Sequence, residues 1–454
     1  MPAPTTLPDL IDRLRRSLLV PADRLDGFLA GLAASGHTPG TPAALLDRMA
    51  AAGIITGFHA DRLAAGKYKG FQLGNYLILD RLGAGGMGQV YLAEHAAMRR
   101  LVAVKVLPVF ATDDAVARER FLREGRAAAA LDHPNVVRVF DLCRDGRLLF
   151  LVMEYVEGVS LQALVARGGP VRAAAACHYA RQVAFGLQHA HDLGFVHRDI
   201  KPANLLLDAA GVVKILDLGL VRSDADAAGG LTCRLDGRSI LGTADYVAPE
   251  QAVDSSNVDI RADLYALGAT LYFLLAGRTL FPDGRAAQKL VWQQVKEPVP
   301  LAHVRPDVPA GVAAVVHRLL RKRPDERYQT PAEVFEALAE WDEGAAPPPP
   351  GLIPEPGPRV RAGRSTPPPS GPRVSGSTSQ THALARRSGS AAHRRPAPDG
   401  SCDLVAKPPP PPPDPAGETA EVASEKTLRT PNAPLPAPAP APRRATWWRR
   451  WLRR

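Results

Sequence analysis

The chain has 454 residues, 46 % of them hydrophobic, enough for two to three domains of about 150 residues. Its formal net charge is +10, but residues 343–454 alone hold 17 Lys+Arg against 8 Asp+Glu, together with 26 of the 44 prolines. The rest is close to neutral, 39 against 38, which excludes a globally basic nucleic-acid-binding domain, and the proline-rich end is excluded as a packed core.

In chain order, residues 5–66 read as short helices. Leu10, Ile11, Leu14, Leu18 and Leu19 recur at helical spacing, and Pro21, residues 36–42 and Gly53 break the pattern. This is a small helical region, residues 1–70, or a helical extension of the neighbouring domain, and no chemistry is visible in it. From Tyr76 the texture changes: residues 76–82, 90–93 and 101–107 are short β-rich runs, 121–131 is helical and 148–155 is again strand-like. After Ser160 helices dominate, with short strands predicted at 205–207 and 212–216. The apolar run 264–276 is too short to span a bilayer and reads as a buried core helix. A last helix is predicted over 331–341, with Thr330 as N-cap and Pro331 at its first position. Residues 343–454 carry four consecutive prolines, a Ser/Gly/Arg stretch, six more prolines at 408–413 and an Ala-Pro alternation, and are expected to be disordered with polyproline character.

Four cysteines (Cys143, Cys177, Cys233, Cys402) lie far apart with no CxxC pair, so neither a zinc site nor a disulfide framework is supported; they read as reduced thiols of a cytoplasmic protein. The first residues lack the basic and apolar regions of a secretory signal, and no apolar stretch reaches 18 residues.

Chemistry concentrates in a few segments. Gly83-Ala84-Gly85-Gly86-Met87-Gly88-Gln89-Val90 is a GxGxxG loop. A dinucleotide-binding loop would also match, but there the third glycine opens a helix, whereas here a strand comes next. A strand–loop–strand flap suits phosphates, because glycines let backbone N–H groups approach an anion. Lys105 sits on an apolar strand 22 residues after Gly83, a costly place unless paired; Glu124 on the next helix is the chosen partner and Glu119 the alternative. In His197-Arg198-Asp199-Ile200-Lys201-Pro202-Ala203-Asn204, Asp199 can orient or deprotonate a hydroxyl, Lys201 can neutralise a phosphoryl group, and Asn204 offers a hard oxygen for Mg²⁺. Thirteen residues later Asp217 supplies a second hard ligand, with Leu218-Gly219 after it and, further on, Ala248-Pro249-Glu250-Gln251. These are the parts that phosphoryl transfer requires.

Over residues 76–341 this motif set resembles the eukaryotic-like serine/threonine protein kinases found in bacteria. The resemblance implies a two-lobed α+β fold over residues 76–342, with ATP and Mg²⁺ as cofactors and Ser/Thr hydroxyls of proteins as substrates. It implies that Leu82, Gly83, Ala84, Gly85, Gly86, Met87, Gly88, Val90, Ala103 and Lys105 surround the nucleotide. Glu154 to Val156 would be the hinge that takes adenine through backbone groups, with Met153 as gatekeeper. Asp199, Lys201, Lys105 and Glu124 would carry the transfer, and Asn204 and Asp217 would hold the metal. It further implies that Asp263 anchors the catalytic loop and that Glu250 pairs with Arg327. Lys201 and the Gly242-Thr243 segment resemble Ser/Thr rather than Tyr kinases. One departure is Leu218, where the family has Phe; it keeps the slot apolar. Another feature is Gly125, which weakens the helix after Glu124 by about 1 kcal/mol relative to Ala. A switchable binding module without activity is the rival reading, but it expects loss of Lys105, Asp199 or Asp217, and all three are present. A third reading makes the tail the functional part, as an adaptor.

Arg198 is a ready receptor for a phosphate on the loop before Glu250, where Thr232 and Ser239 are the expected sites among Ser223, Thr232, Ser239 and Thr243; the plainer alternative is local backbone contact. Thr243 is expected against Lys201 and Asp199. Ser365, Thr366, Ser388 and Ser390 lie near arginines and are autophosphorylation candidates by composition. The chain closes with Trp447, Trp448 and Trp451 among arginines. Such an end is either solvated without a partner or a peripheral contact with the inner face of a membrane; no specific nucleic acid is expected.

Overall fold

A computed structural model describes residues 2–36, 38–85, 88–107, 128–216, 244–254, 257–344 and 346–353, with positions 119, 122, 125 and 126. The chain divides into two units, Met1–Pro369 and Ser370–Arg454, the second wholly outside the described residues.

Four helices open the chain: α1 (Leu7–Ser17), α2 (Ala22–Ala34), α3 (Pro42–Ala51) and α4 (Gly57–Ala64). Thr6, Thr41 and Thr56 cap α1, α3 and α4 by accepting a backbone N–H, as short hydroxyl side chains at helix starts do. Leu10 and Leu14 are fully buried, but Leu18 is 77 % exposed: it takes the left-handed turn that ends α1, which points it away from the stripe its spacing suggested. The helices share one apolar cluster with Tyr68, Phe71 and Leu77, so they extend the neighbouring domain rather than stand apart from it.

A six-stranded antiparallel sheet comes next, ordered β1-β2-β3-β4-β6-β5, from β1 (Gln72–Leu73), β2 (Tyr76–Gly85), β3 (Gly88–His95), β4 (Leu101–Val106), β5 (Val139–Asp145) and β6 (Leu148–Glu154). The strand period of two divides β4: Val102 and Val104 face one cluster with Ile78, Phe150 and Val152, while Ala103 faces another with Leu151 and Met153. Lys105 falls on the Ala103 face. Phe58 of α4 lies against the first cluster, edge-on to Tyr91. Of the helix predicted over 121–131, positions 122, 125, 126, 128 and 129 are helical. Gly125 is buried there, and a Cβ on it would come within 3.2 Å of Leu151 Cδ1 and 3.3 Å of Leu142 Cδ2. Its lack of a side chain therefore serves close packing on the sheet, at the expense of helix propensity.

The second half is helical. A small sheet ordered β7-β8-β9 combines β7 (Gly158–Ser160), β8 (Leu205–Asp208) and β9 (Val213–Ile215). Around it lie α5 (Leu161–Gly168), α6 (Ala173–Asp192), α7 (Pro249–Val253), α8 (Ile260–Ala276), α9 (Ala286–Val295), α10 (Leu301–Val304), α11 (Ala310–Leu319) and α12 (Pro331–Ala337). The run at 264–276 forms most of α8 and is buried on nearly all sides. Thr330 caps α12 by accepting from Glu333 N, and a 3₁₀ turn, Ala339–Trp341, completes the predicted last helix.

Packing continues past residue 342. Asp342 accepts from His178 Nδ1 at 2.8 Å and pairs with Arg181, the Tyr179 hydroxyl donates to Ala346 O at 2.6 Å, and Arg167 donates to Leu352 O at 3.0 Å. The start of the proline-rich segment thus lies along α5 and α6. Proline does not prevent this, because the strap offers carbonyl acceptors and proline lacks only the donor. Among the described residues no helix is long and apolar enough to cross a membrane.

Candidate active site

Asp263, in the first turn of α8 with no exposed surface, organises the site from below. Its Oδ2 accepts the amide of His197 and its Oδ1 that of Arg198, each at 2.7 Å. Burial pushes its carboxyl up, while those two donors pull it down. Arg198 has φ 64, a conformation a bulky residue adopts only when its surroundings impose it. The imposition is visible: its amide is held by Asp263 and its carbonyl accepts Gln251 Nε2 of α7 at 2.7 Å.

His197 is fully buried. Its Nδ1 accepts the Asp199 amide at 3.2 Å, so its Nε2 carries the proton donated to Leu216 O at 2.9 Å. Lys201 Nζ lies 2.7 and 3.0 Å from the two Asp199 carboxylate oxygens. Asn204 Nδ2 donates to Asp199 Oδ2 and to its carbonyl, both at 2.9 Å. With Nδ2 so engaged, Oδ1 of Asn204 is the atom a hard cation would take. The Leu216 amide donates to Asn204 O at 2.8 Å. Both backbone groups of Leu216 are thereby fixed to the 197–204 loop, and Asp217 is the next residue. Asn204 Oδ1 is a hard oxygen of the kind that a nucleotide-bound Mg²⁺ takes. Asp217 itself lies outside the described residues, as do Leu218 and 219–243 with Ser223, Thr232, Ser239 and Thr243.

Above the loop, β2 and β3 form the hairpin whose register pairs Gly83 with Val90, Ala84 with Gln89 and Gly85 with Gly88. Gly88 has φ 125, open only to glycine. Gly83 has open space where a Cβ would stand. Leu82 is half exposed, and Gly86 and Met87 are outside the described residues. Val90, Ala103, Met153, Val156 and Leu216 share one apolar cluster, a surface suited to a flat aromatic ring. Lys105 pairs in register with Val90 and with Leu151. Its chosen partner Glu124 is outside the described residues; Glu119 is exposed.

Glu154 shows a feature that its sequence neighbourhood does not announce. Its amide donates to Arg138 O at 2.8 Å, and its carboxylate accepts Lys214 Nζ at 2.7 Å (Oε1) and 2.9 Å (Oε2). Buried Asn135 and Gln182 are equally silent in the sequence. Asn135 Nδ2 donates to Gln182 Oε1 at 2.9 Å and to Val213 O at 2.8 Å, which ties the loop before β5 to β9. A glutamine in an alanine-rich helix carries no signal of such a role. Glu250 and Arg327 form the expected pair, at 2.7 and 2.8 Å. Cys143 and Cys177 are thiols whose pKa burial pushes up to about 12, so neither serves as a nucleophile at neutral pH.

A sheet-rich lobe with a glycine flap and a helical lobe with a loop acid, a lysine and an amide in contact form a two-lobed arrangement suited to phosphoryl transfer. The protein kinase domain family matches residues 76–338, more than half of the chain, and the chain belongs to that family. It is similar to the serine/threonine-protein kinase PknB of Mycolicibacterium smegmatis, 39 % identical over 283 residues, covering 61 % of this chain and 44 % of that protein. It is 38 % identical over 265 residues to PrkC of Bacillus subtilis (58 % and 40 % covered) and 41 % identical over 273 residues to Pkn1 of Myxococcus xanthus (59 % and 38 % covered). The chain spans less than half the length of these curated relatives.

Proposed function

We propose that the chain is a serine/threonine protein kinase that transfers the γ-phosphoryl group of ATP to Ser or Thr hydroxyls of proteins, itself included, in signal transduction. The observation that carries this reading is the Asp199–Lys201–Asn204 cluster, held by Asp263 and His197. Asp199 orients the substrate hydroxyl and accepts its proton as the new O–P bond forms; the β–γ bridging P–O bond breaks, and its electron pair leaves with ADP. Lys201, beside Asp199, would offset charge on the transferred group, and Lys105 would hold the α- and β-phosphates with Glu124 as its partner. Asn204 and Asp217 would hold Mg²⁺, which when bound offsets phosphate charge. The glycine flap and the apolar face of Val90, Ala103 and Val156 exclude water from the nucleotide.

Incubated with Mg-ATP and a basic generic protein, the full chain should leave phosphate on serine and threonine. Phosphate on tyrosine alone, or none anywhere, overturns the reading. Phosphosite mapping of the same sample examines Thr232 and Ser239.

The tail has a role of its own in this reading. Trp447, Trp448 and Trp451 among arginines favour peripheral contact of a cytoplasmic kinase with an anionic inner membrane face. The full chain should sediment with phosphatidylglycerol vesicles, and changing the three tryptophans to alanine should release it; equal sedimentation of both chains contradicts the contact.

A further inference from the structure

Glu154 ends β6 where the chain passes from the sheet to the helical lobe, and Lys214 sits in the middle of β9, three residues before Asp217. Their ion pair crosses from one lobe to the other. Both partners are largely withdrawn from water, the side chains being 17 % (Lys214) and 26 % (Glu154) exposed, so the pair is less screened than one on the open surface. Each end is also braced. On the sheet side, Arg138 N donates to Glu154 Oε2 at 3.3 Å and Arg138 O accepts the Glu154 amide. On the helical side, Gln182 of α6 accepts the Val213 amide at 2.9 Å, and Asn135, in the loop before β5, donates to Val213 O and accepts the Ile215 amide at 2.8 Å. The Val137 amide also donates to Ile215 O at 2.9 Å, so the ion pair is the side-chain strut of a junction whose backbone part joins β9 to the segment before β5.

We propose that Lys214 and the side chain of Glu154 are positioning residues that fix the spacing between the hinge and the strand leading to Asp217 before nucleotide arrives. The proposal rests on the kinase reading and deepens it. A magnesium nucleotide must meet the hinge at its base and the end of β9 at its phosphates together. If the two strands shift relative to each other, binding must first restore their spacing, and part of the affinity is lost. Adenosine meets the hinge alone and does not depend on that spacing.

Calorimetry on the full chain separates these cases without requiring turnover. Lys214→Glu and Glu154→Lys should each weaken Mg-ADP binding about tenfold, and for Lys214→Glu, which lies outside the hinge, adenosine binding should stay within about twofold. The doubly reversed chain should recover most of the Mg-ADP affinity, and Lys214→Arg should stay near the parent. Lys214→Gln, a milder change, gives the same direction if a reversal fails to fold. Additive losses in the double variant overturn the strut, as does an equal loss for adenosine in Lys214→Glu, which would mean that the pair merely builds the hinge. If the parent binds Mg-ADP and the variants match it, the strut alone fails. If the folded parent binds neither ligand, the kinase reading fails and the strut with it.

Discussion

His59 has no exposed surface and two hydrogen bonds that fix its tautomer. Its Nδ1 accepts the Thr56 amide at 3.1 Å, so its Nε2 donates to Ile78 O on β2 at 2.5 Å. Burial lowers its pKa to about 4, and does the same to His133. Between the ordinary 6.5 and about 4 the unfolded chain therefore binds protons that the folded chain refuses. The contribution of these histidines is full above pH 6.5, falls as the pH drops toward 4 and levels off below that, with a slope of up to about 1.4 kcal/mol per pH unit from His59. Urea unfolding at pH 7, 6 and 5 reads this slope, and His59→Gln should flatten it while keeping a Thr56-x-x-Gln capping box. On the catalytic side, Asp263→Ala strands the amides of His197 and Arg198, at about 1–3 kcal/mol each. It should also relax the strained Arg198 turn, so the transfer rate should drop along with the unfolding midpoint; a variant that keeps both at parental values contradicts the anchoring role.

Elements are joined by a few directional contacts. Arg327, 1 % exposed, uses all five of its donors: two on Glu250 of α7, and one each on the carbonyls of Arg261, Arg321 and Lys322. Lysine cannot reproduce that fork, so Arg327→Lys should cost about 3–5 kcal/mol in urea unfolding, and adding Glu250→Gln should cost less than it does alone. Gly268 lets α8 and α11 touch, since a Cβ there would stand 2.6 Å from Leu319 Cβ. Gly268→Ala should destabilise by about 1–3 kcal/mol, because a Cβ, unlike a side-chain tip, moves only with its backbone. Such contacts mark the limit of what the sequence shows. The glycine loop, Lys105 and the 197–204 segment are legible because phosphoryl transfer needs fixed residue types at fixed spacings. Val90, Ala103, Met153 and Val156 do come to share one apolar face. The Lys214–Glu154 strut and the Asn135–Gln182 bridge are not legible, because their partners lie 60 and 47 residues apart and any polar pair could have formed. The bond from His59 to β2 hides for a different reason: histidine stands where a capping box usually has Glu or Gln.

Across the whole chain, composition misleads at one boundary. Proline content from residue 343 onward suggests an abrupt end to packing, whereas Asp342, Ala346 and Leu352 are bonded to α5 and α6. Desolvation alone would raise the Asp342 carboxyl; the donors His178 and Arg181 hold it down at about 2 instead. Ending the chain at Trp341 should therefore lower the unfolding midpoint by several degrees relative to ending it at Ile353; equal midpoints for the two truncations would show that the strap contributes nothing. Everything in the proposed function turns on Asp199, the residue to which that reading gives the catalytic role. The decisive comparison is the phosphoryl-transfer rate and the Mg-ATP affinity of Asp199→Asn beside the parent chain. The rate should fall about 10²–10⁴-fold while the affinity stays within a few-fold of the parent. Transfer at the parental rate by the variant would remove Asp199 from the catalytic role.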